Sequence, residues 1–96
     1  MEGFNLLNKA FDSRVRLGLM SILSVNDWMS YKEVKNLLDL TDGNLASHVQ
    51  ALEKINFLEI KKQFIGKKPL TTYRITLSGK NAFKDHISGL EKLINK

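Results

Sequence analysis

Thr41-Asp-Gly-Asn-Leu-Ala-Ser-His-Val-Gln-Ala-Leu-Glu-Lys-Ile55 runs directly into Asn-Phe-Leu-Glu-Ile-Lys-Lys-Gln-Phe-Ile-Gly-Lys-Lys-Pro-Leu-Thr-Thr-Tyr-Arg-Ile75. The apolar period changes at the junction. Leu45, Val49 and Leu52 recur at helical spacing, with Thr41 as cap and Asp42 at the positive end of the helix dipole. We expect Asp42 to cap amides. Asn56 is one of the few side-chain-bearing residues that accepts the left-handed position ending a helix. Residues 58–64 then mostly alternate, 65–69 read as a turn, and 70–75 are rich in β-branched and aromatic residues. The stretch is a helix followed by a hairpin.

Working outward, Ser30-Tyr-Lys-Glu33 has the form of a capping box. It opens a helix through Val34, Leu37 and Leu38 that stops at Leu40. Residues 4–24 carry Phe4, Leu7, Phe11, Val15, Leu19 and Ile22 at threes and fours, and Asp12-Ser13 offers a second cap within that run. Trp28-Met29 has the length of a small strand. Downstream, Thr76 or Ser78 caps a last helix to about Ile94. The order is helix, helix, helix, hairpin, helix, in a single domain over residues 1–96.

Composition bounds the rest. Of 96 residues, 43% are hydrophobic and 26% charged, which is globular rather than disordered. With no cysteine, a disulfide framework, a thiolate nucleophile and a thiolate metal site are excluded. No apolar run spans a membrane, and the N-terminal residues lack a signal-peptide pattern, so the expected location is the cytoplasm. The net charge of +5 is uneven. Lys61, Lys62, Lys67, Lys68 and Arg74 fall within 14 residues that hold no acid. Such a patch fits an anionic polymer.

Ser47-x-Val49-x-x-Leu52-Glu53 followed by Phe57-Leu58-x-Ile60 is similar to the recognition-helix pattern of the MarR and ArsR regulator groups. Leu40–His48, Gly66-Lys-Lys-Pro69 and Thr72-Tyr-Arg-Ile-Thr-Leu-x-Gly79 resemble a narrower group, the compact one-domain winged-helix regulators of bacteria and archaea. The likeness covers nearly the whole chain, and Asn56 departs from it where glycine is usual. It implies an α+β, mainly helical winged helix-turn-helix: a three-helix core, a two-stranded wing and a C-terminal helix. It also implies a homodimeric, double-stranded DNA-binding transcription regulator, with repression the simplest mechanism.

On a helical wheel of the third helix, Leu45, Val49 and Leu52 share one face. Gly43, Ser47, Gln50 and Lys54 lie opposite, with Asn44 and Ala46 toward the margins. Small residues allow close approach to a groove floor, and amides pair with adenine edges. The candidate recognition residues are Thr41, Gly43, Asn44, Ser47, His48, Gln50 and Lys54. His48 sits at the edge of the core side, more a half-buried residue packed against the second helix than a phosphate contact. The candidate wing residues are Lys61, Lys62, Lys67, Lys68 and Arg74, and five neutralised phosphates would give a salt slope near −4 to −5 per subunit. Lys32, Lys35, Arg14 and Arg16 are further cations within possible reach of a DNA backbone. The candidate dimer interface is Phe4, Leu7 and Phe11 with Phe83, Ile87, Leu90 and Ile94, joining the two termini.

The chain holds no nucleophile–base pair, no P-loop and no dinucleotide fingerprint, so no enzyme, cofactor or metal is expected. Asp85 and His86 are helix neighbours that point about 100° apart, the wrong arrangement for shared metal ligation. A small-molecule effector stays open without any residue to indicate it. The alternative to DNA is a winged-helix protein-interaction module binding an acidic partner.

Overall fold

The computed structural model describes residues 2–95. Its elements are α1 (Arg14–Ser24), β1 (Met29–Ser30), α2 (Tyr31–Leu38), α3 (Asp42–Lys54), β2 (Leu58–Ile65), β3 (Lys68–Ile75) and α4 (Leu77–Ile94). Caps explain most of these boundaries. The Ser30 hydroxyl accepts from the Glu33 amide at 3.2 Å, and the Glu33 carboxylate accepts from the Ser30 amide at 3.0 Å, completing the capping box. Thr41 caps α3 through the Asn44 amide, and Ser13 caps α1 through the Arg16 amide. The turn from α2 to α3 is short because Asp39 takes a left-handed conformation at φ 51°. Asn56 does the same after α3, at φ 64°.

The segment before α1 corrects the helical reading of residues 4–24. Two 3-10 turns, Phe4–Leu6 and Lys9–Phe11, precede α1. They form an arm laid along α4. Because α1 starts afresh at Arg14, its buried face is Leu19, Met20 and Leu23 rather than a continuation of the earlier spacing. The arm crosses α4 where Gly3 meets Gly89: a Cβ on Gly3 would stand 2.7 Å from the Gly89 carbonyl oxygen. The Asn8 amide donates to His86 Nδ1 at 3.0 Å, and Phe11 packs edge-on to the same imidazole.

Phe11 is therefore a core residue at 1% exposure, not part of a dimer surface. Its neighbours Phe57 and Phe83 complete an aromatic cluster under the arm. α2 runs through Val34, Leu37 and Leu38 as the sequence predicts, with Val34 buried and Leu37 turned to solvent.

The sheet is antiparallel in the order β1-β3-β2. Its short first strand is Met29–Ser30, one residue later than Trp28-Met29. β1 pairs only with Tyr73 and Thr72, whereas β2 and β3 pair from Leu58↔Ile75 out to Ile65↔Lys68. The turn is thus two residues, Gly66-Lys67, and Lys68 and Pro69 belong to β3 rather than to a five-residue turn. Gly66 has φ 65°, a conformation that strains other residues in a two-residue hairpin loop. Pro69 lies where no third strand needs its missing amide.

The accessible surface is 6573 Å². A compact chain of this mass would expose roughly 5,600 Å². The arm, the ribbon and α4 account for the elongation to 54 × 24 × 21 Å.

At the foot of the ribbon the chain closes on itself. The Thr76 amide donates to the Phe57 carbonyl at 3.1 Å, and the Thr76 hydroxyl donates to the Asn56 carbonyl at 2.7 Å. Gly79 passes directly over that Phe57 carbonyl, leaving no room for a side chain. Gly43, also helical, has open space around it. Gly79→Ala should lower unfolding stability by about 3 kcal/mol through overpacking. Gly43→Ala should raise it by up to about 1 kcal/mol, the usual helix-propensity gain. Urea unfolding of the two variants checks both signs.

Candidate nucleic-acid interface

α3 buries Leu45, Val49 and Leu52 and turns Gly43, Asn44, Ser47, Gln50 and Lys54 to solvent, as the wheel requires. Thr41 at its start is exposed as well as capping. Asp42 corrects the capping expectation. Its carboxylate pairs with Lys35 Nζ of α2 at 2.7 Å, while Thr41 supplies the cap. This exposed pair contributes little stability, but it occupies Lys35 and offsets an acid at the start of the helix.

His48 lies on the flank of α3 that faces α1, not against α2. Arg16 Nε donates to its Nδ1 at 3.1 Å, which keeps the imidazole neutral. Burial, and then the Arg16 charge, push the His48 pKa below its ordinary value. Arg14 stands exposed near the same flank and lines a recess there with Asn44.

On the opposite flank α3 faces the wing. An open cleft of about 590 Å³ lies between them. Ala46, Gln50 and Glu53 line its helix side, and Ile60, Lys62, Thr71 and Tyr73 its ribbon side. Tyr31 of α2 closes it, a contributor that sequence reasoning missed. Its place just inside the capping box, next to the strand that pairs with β3, is the signal that points there.

The five wing cations divide by strand alternation. Lys62 is on the cleft face, and Lys67 and Lys68 are exposed at the tip. Lys61 and Arg74 lie at the foot of the wing. Arg74 donates to both carboxylate oxygens of Glu59, its cross-strand partner, at 3.0 and 3.3 Å. It also sits 4.5 Å from the Trp28 ring centre, and Lys61 Nζ sits 5.5 Å from the same ring. Arg74 and Lys61 thus have partners within the chain and are less available to an external anion than Lys62, Lys67 and Lys68. Trp28, which the sequence marks only as the start of a short strand, is their shared platform. A register fixed by a two-residue turn would have placed Glu59 opposite Arg74.

Away from this side, Ile87, Leu90 and Ile94 make one apolar stripe along α4, at 37%, 37% and 76% exposure. Phe4, on the docked arm, is 66% exposed. Leu7 and Phe83 are half-buried. Among the described residues no group of three or more His, Cys, Asp or Glu could hold a metal, and no helix is long and apolar enough to cross a membrane.

A family model described as winged helix DNA-binding domain matches residues 15–94. The chain belongs to the winged-helix DNA-binding family. It is 38% identical over 79 residues to the uncharacterized protein MJ0432 of Methanocaldococcus jannaschii, covering 82% of this chain and 86% of that one. A transcriptional regulator homologue from Pyrococcus horikoshii superposes with a TM-score of 0.79 at 30% identity, covering 96% of each chain. A structure of reduced AbfR bound to DNA has the same fold, with a TM-score of 0.66 at 17% identity over 88% of this chain and 61% of that one. This winged-helix protein is accordingly a DNA-binding regulator, MarR-like in fold, and not an enzyme.

The Arg16–His48 contact has a pH signature. A folded-state pKa below the unfolded value means that the contribution is fully present above about 6.5 and lost as pH falls through the lower, folded value. The melting temperature of the wild-type protein should therefore fall more steeply with acidification below about pH 6.5 than that of His48→Gln, whose amide oxygen accepts without titrating. Thermal melts across that range decide it.

Proposed function

We propose that this chain is a homodimeric, sequence-specific regulator of transcription acting on double-stranded DNA in the cytoplasm. In this reading α3 enters the major groove and the wing follows the backbone or the adjacent minor groove. The observation that carries it is the layout around α3. A face of small, amide and hydroxyl side chains (Gly43, Asn44, Ser47, Gln50) is bordered by Arg14 and Arg16 on one flank. Lys62, Lys67 and Lys68 stand beyond the other. Bases are read by the centre of such a surface and phosphates held at its edges. Thr41 and Lys54 sit at the two ends of the helix, within range of backbone contacts. His48 contributes by holding Arg16 rather than by touching DNA itself. AbfR, a structural neighbour, was solved bound to DNA, which supports the same use of the fold here.

The dimer reading rests on the α4 stripe and Phe4. The surface in excess of a compact chain is about 1,000 Å². One side of a standard interface buries about 800 Å². Two copies joined there would carry their recognition helices about 34 Å apart, facing successive turns of a pseudo-palindrome. Covering a promoter is the simplest mode of action for such a dimer, and in this reading it is a repressor. A reporter that rises on expression of the protein would overturn that part alone.

Duplex DNA binding at two salt concentrations tests the core of the proposal. Lys62, Lys67 and Lys68 alone imply a slope of log K against log[salt] near −3 per subunit, and Lys67→Ala/Lys68→Ala should reduce it by about 2. Wild-type protein that ignores duplex DNA at low salt would instead assign the wing to an acidic protein partner. In sedimentation velocity, Ile87→Asp/Leu90→Asp should shift the species from about twice 11.0 kDa to the monomer.

A further inference from the structure

The wing tip carries more than charge. Phe64 is 73% exposed and Ile65 62% exposed, at the far end of a ribbon that has lost its third strand. Phe64 is the cross-strand partner of Pro69, so the two stand side by side on one face of the tip. Alternation puts that face on the same side as Lys62, Thr71 and Tyr73, which line the cleft toward α3. The apolar pair therefore looks the same way as the recognition helix. Around it are Lys62, Lys67 and Lys68, and the chain holds no acid from residue 60 to residue 84.

Large apolar side chains at an exposed hairpin tip are costly to solubility and mark a contact surface. The surrounding cations make the contact one with a polyanion. We propose that Phe64, backed by Pro69, is an apolar wedge that enters the minor groove of duplex DNA and partly unstacks a base step, while Lys67 and Lys68 hold the phosphates on the groove walls. The inference rests on the DNA reading above and adds to it a deformation. Neither Phe64 nor Pro69 has a side-chain donor or acceptor, so the wedge reads no base edge. It favours steps that open readily, the pyrimidine–purine steps TA and CA, and bends the duplex away from the inserted ring. Sequence preference at the wing then arises from deformability, separately from the amide contacts of α3.

The test uses duplexes selected by the full-length protein from a random library and labelled at both ends for energy transfer. Binding of wild type should raise the transfer efficiency, and the selected duplexes should be enriched in TA or CA steps flanking the α3 footprint. Phe64→Ser should weaken binding about tenfold and abolish the rise, with the salt slope unchanged, because no phosphate contact is removed. Phe64→Leu should keep most of both. The melting temperature should be unmoved in either variant, as Phe64 is outside the core. Phe64→Ser that binds and bends DNA like wild type overturns the wedge and leaves the regulator reading standing. Wild type that fails to bind duplexes at all overturns both. Sedimentation with vesicles containing phosphatidylserine, retained by wild type and lost by Phe64→Ser while DNA bending persists, would reassign the tip to an anionic lipid surface.

Discussion

One small cluster of hydrogen bonds fixes where the wing stands relative to α3. Thr76 uses its amide on the Phe57 carbonyl and its hydroxyl on both the Asn56 carbonyl and the Gly79 amide. Four ends meet there: the last turn of α3, the first residue of β2, the last of β3 and the first turn of α4. Gly79 brings α4 against the Phe57 carbonyl more closely than any side chain permits. The ribbon is thereby anchored at its foot to the helix beside it. Leu58 and Ile75, the first pair of the ribbon, are both buried in the core that also holds Leu52 of α3. Helix and wing are thus presented as one surface, and the cleft between them is fixed in width at its foot.

Electrostatics then divides the ribbon into two zones. At the foot, cations are matched internally: Arg74 with Glu59 and Trp28, Lys61 with Trp28. Such contacts stiffen the foot, with Trp28 as a shared platform on the side away from α3. Toward the tip, Lys62, Lys67 and Lys68 have no ion-pair partner among the described residues. The formal charge of the segment overstates what an external phosphate meets, and the correction follows from register.

How much of this was legible in the sequence depended on range. Ser30 with Glu33, Thr41, Ser13 and Thr76 mark helix starts through contacts three residues long, so local chemistry is enough to read them. The wing alternates because one of its faces meets the core. The arm misled because two 3-10 turns and a fresh helix happen to place Phe4, Leu7 and Phe11 at helical intervals before Val15. What settles Phe11 is its contact with Phe57, Phe83 and His86, residues far along the chain. The same holds for the candidate interface. The polar face of α3 follows from its own period, while the Arg16–His48 contact spans 32 positions and the capture of Arg74 needs the turn length. Most helix caps are legible within a turn of chain, whereas the partners of Asp42, Phe11 and Arg74 are set by tertiary contact and are not.

The loss of the third strand part-way along the ribbon makes the wing a cantilever. It is clamped where Met29 and Ser30 pair with Tyr73 and Thr72, and overhangs from there to Lys68. Four residues of strand span about 13 Å. A tilt of about ten degrees at the clamp displaces the end by about 2 Å, a third of the roughly 6 Å width of a B-form minor groove. In the proposed complex the overhang can follow narrow and wide grooves in turn without moving α3, so that groove width would be registered as elastic strain in the protein as well as in the DNA.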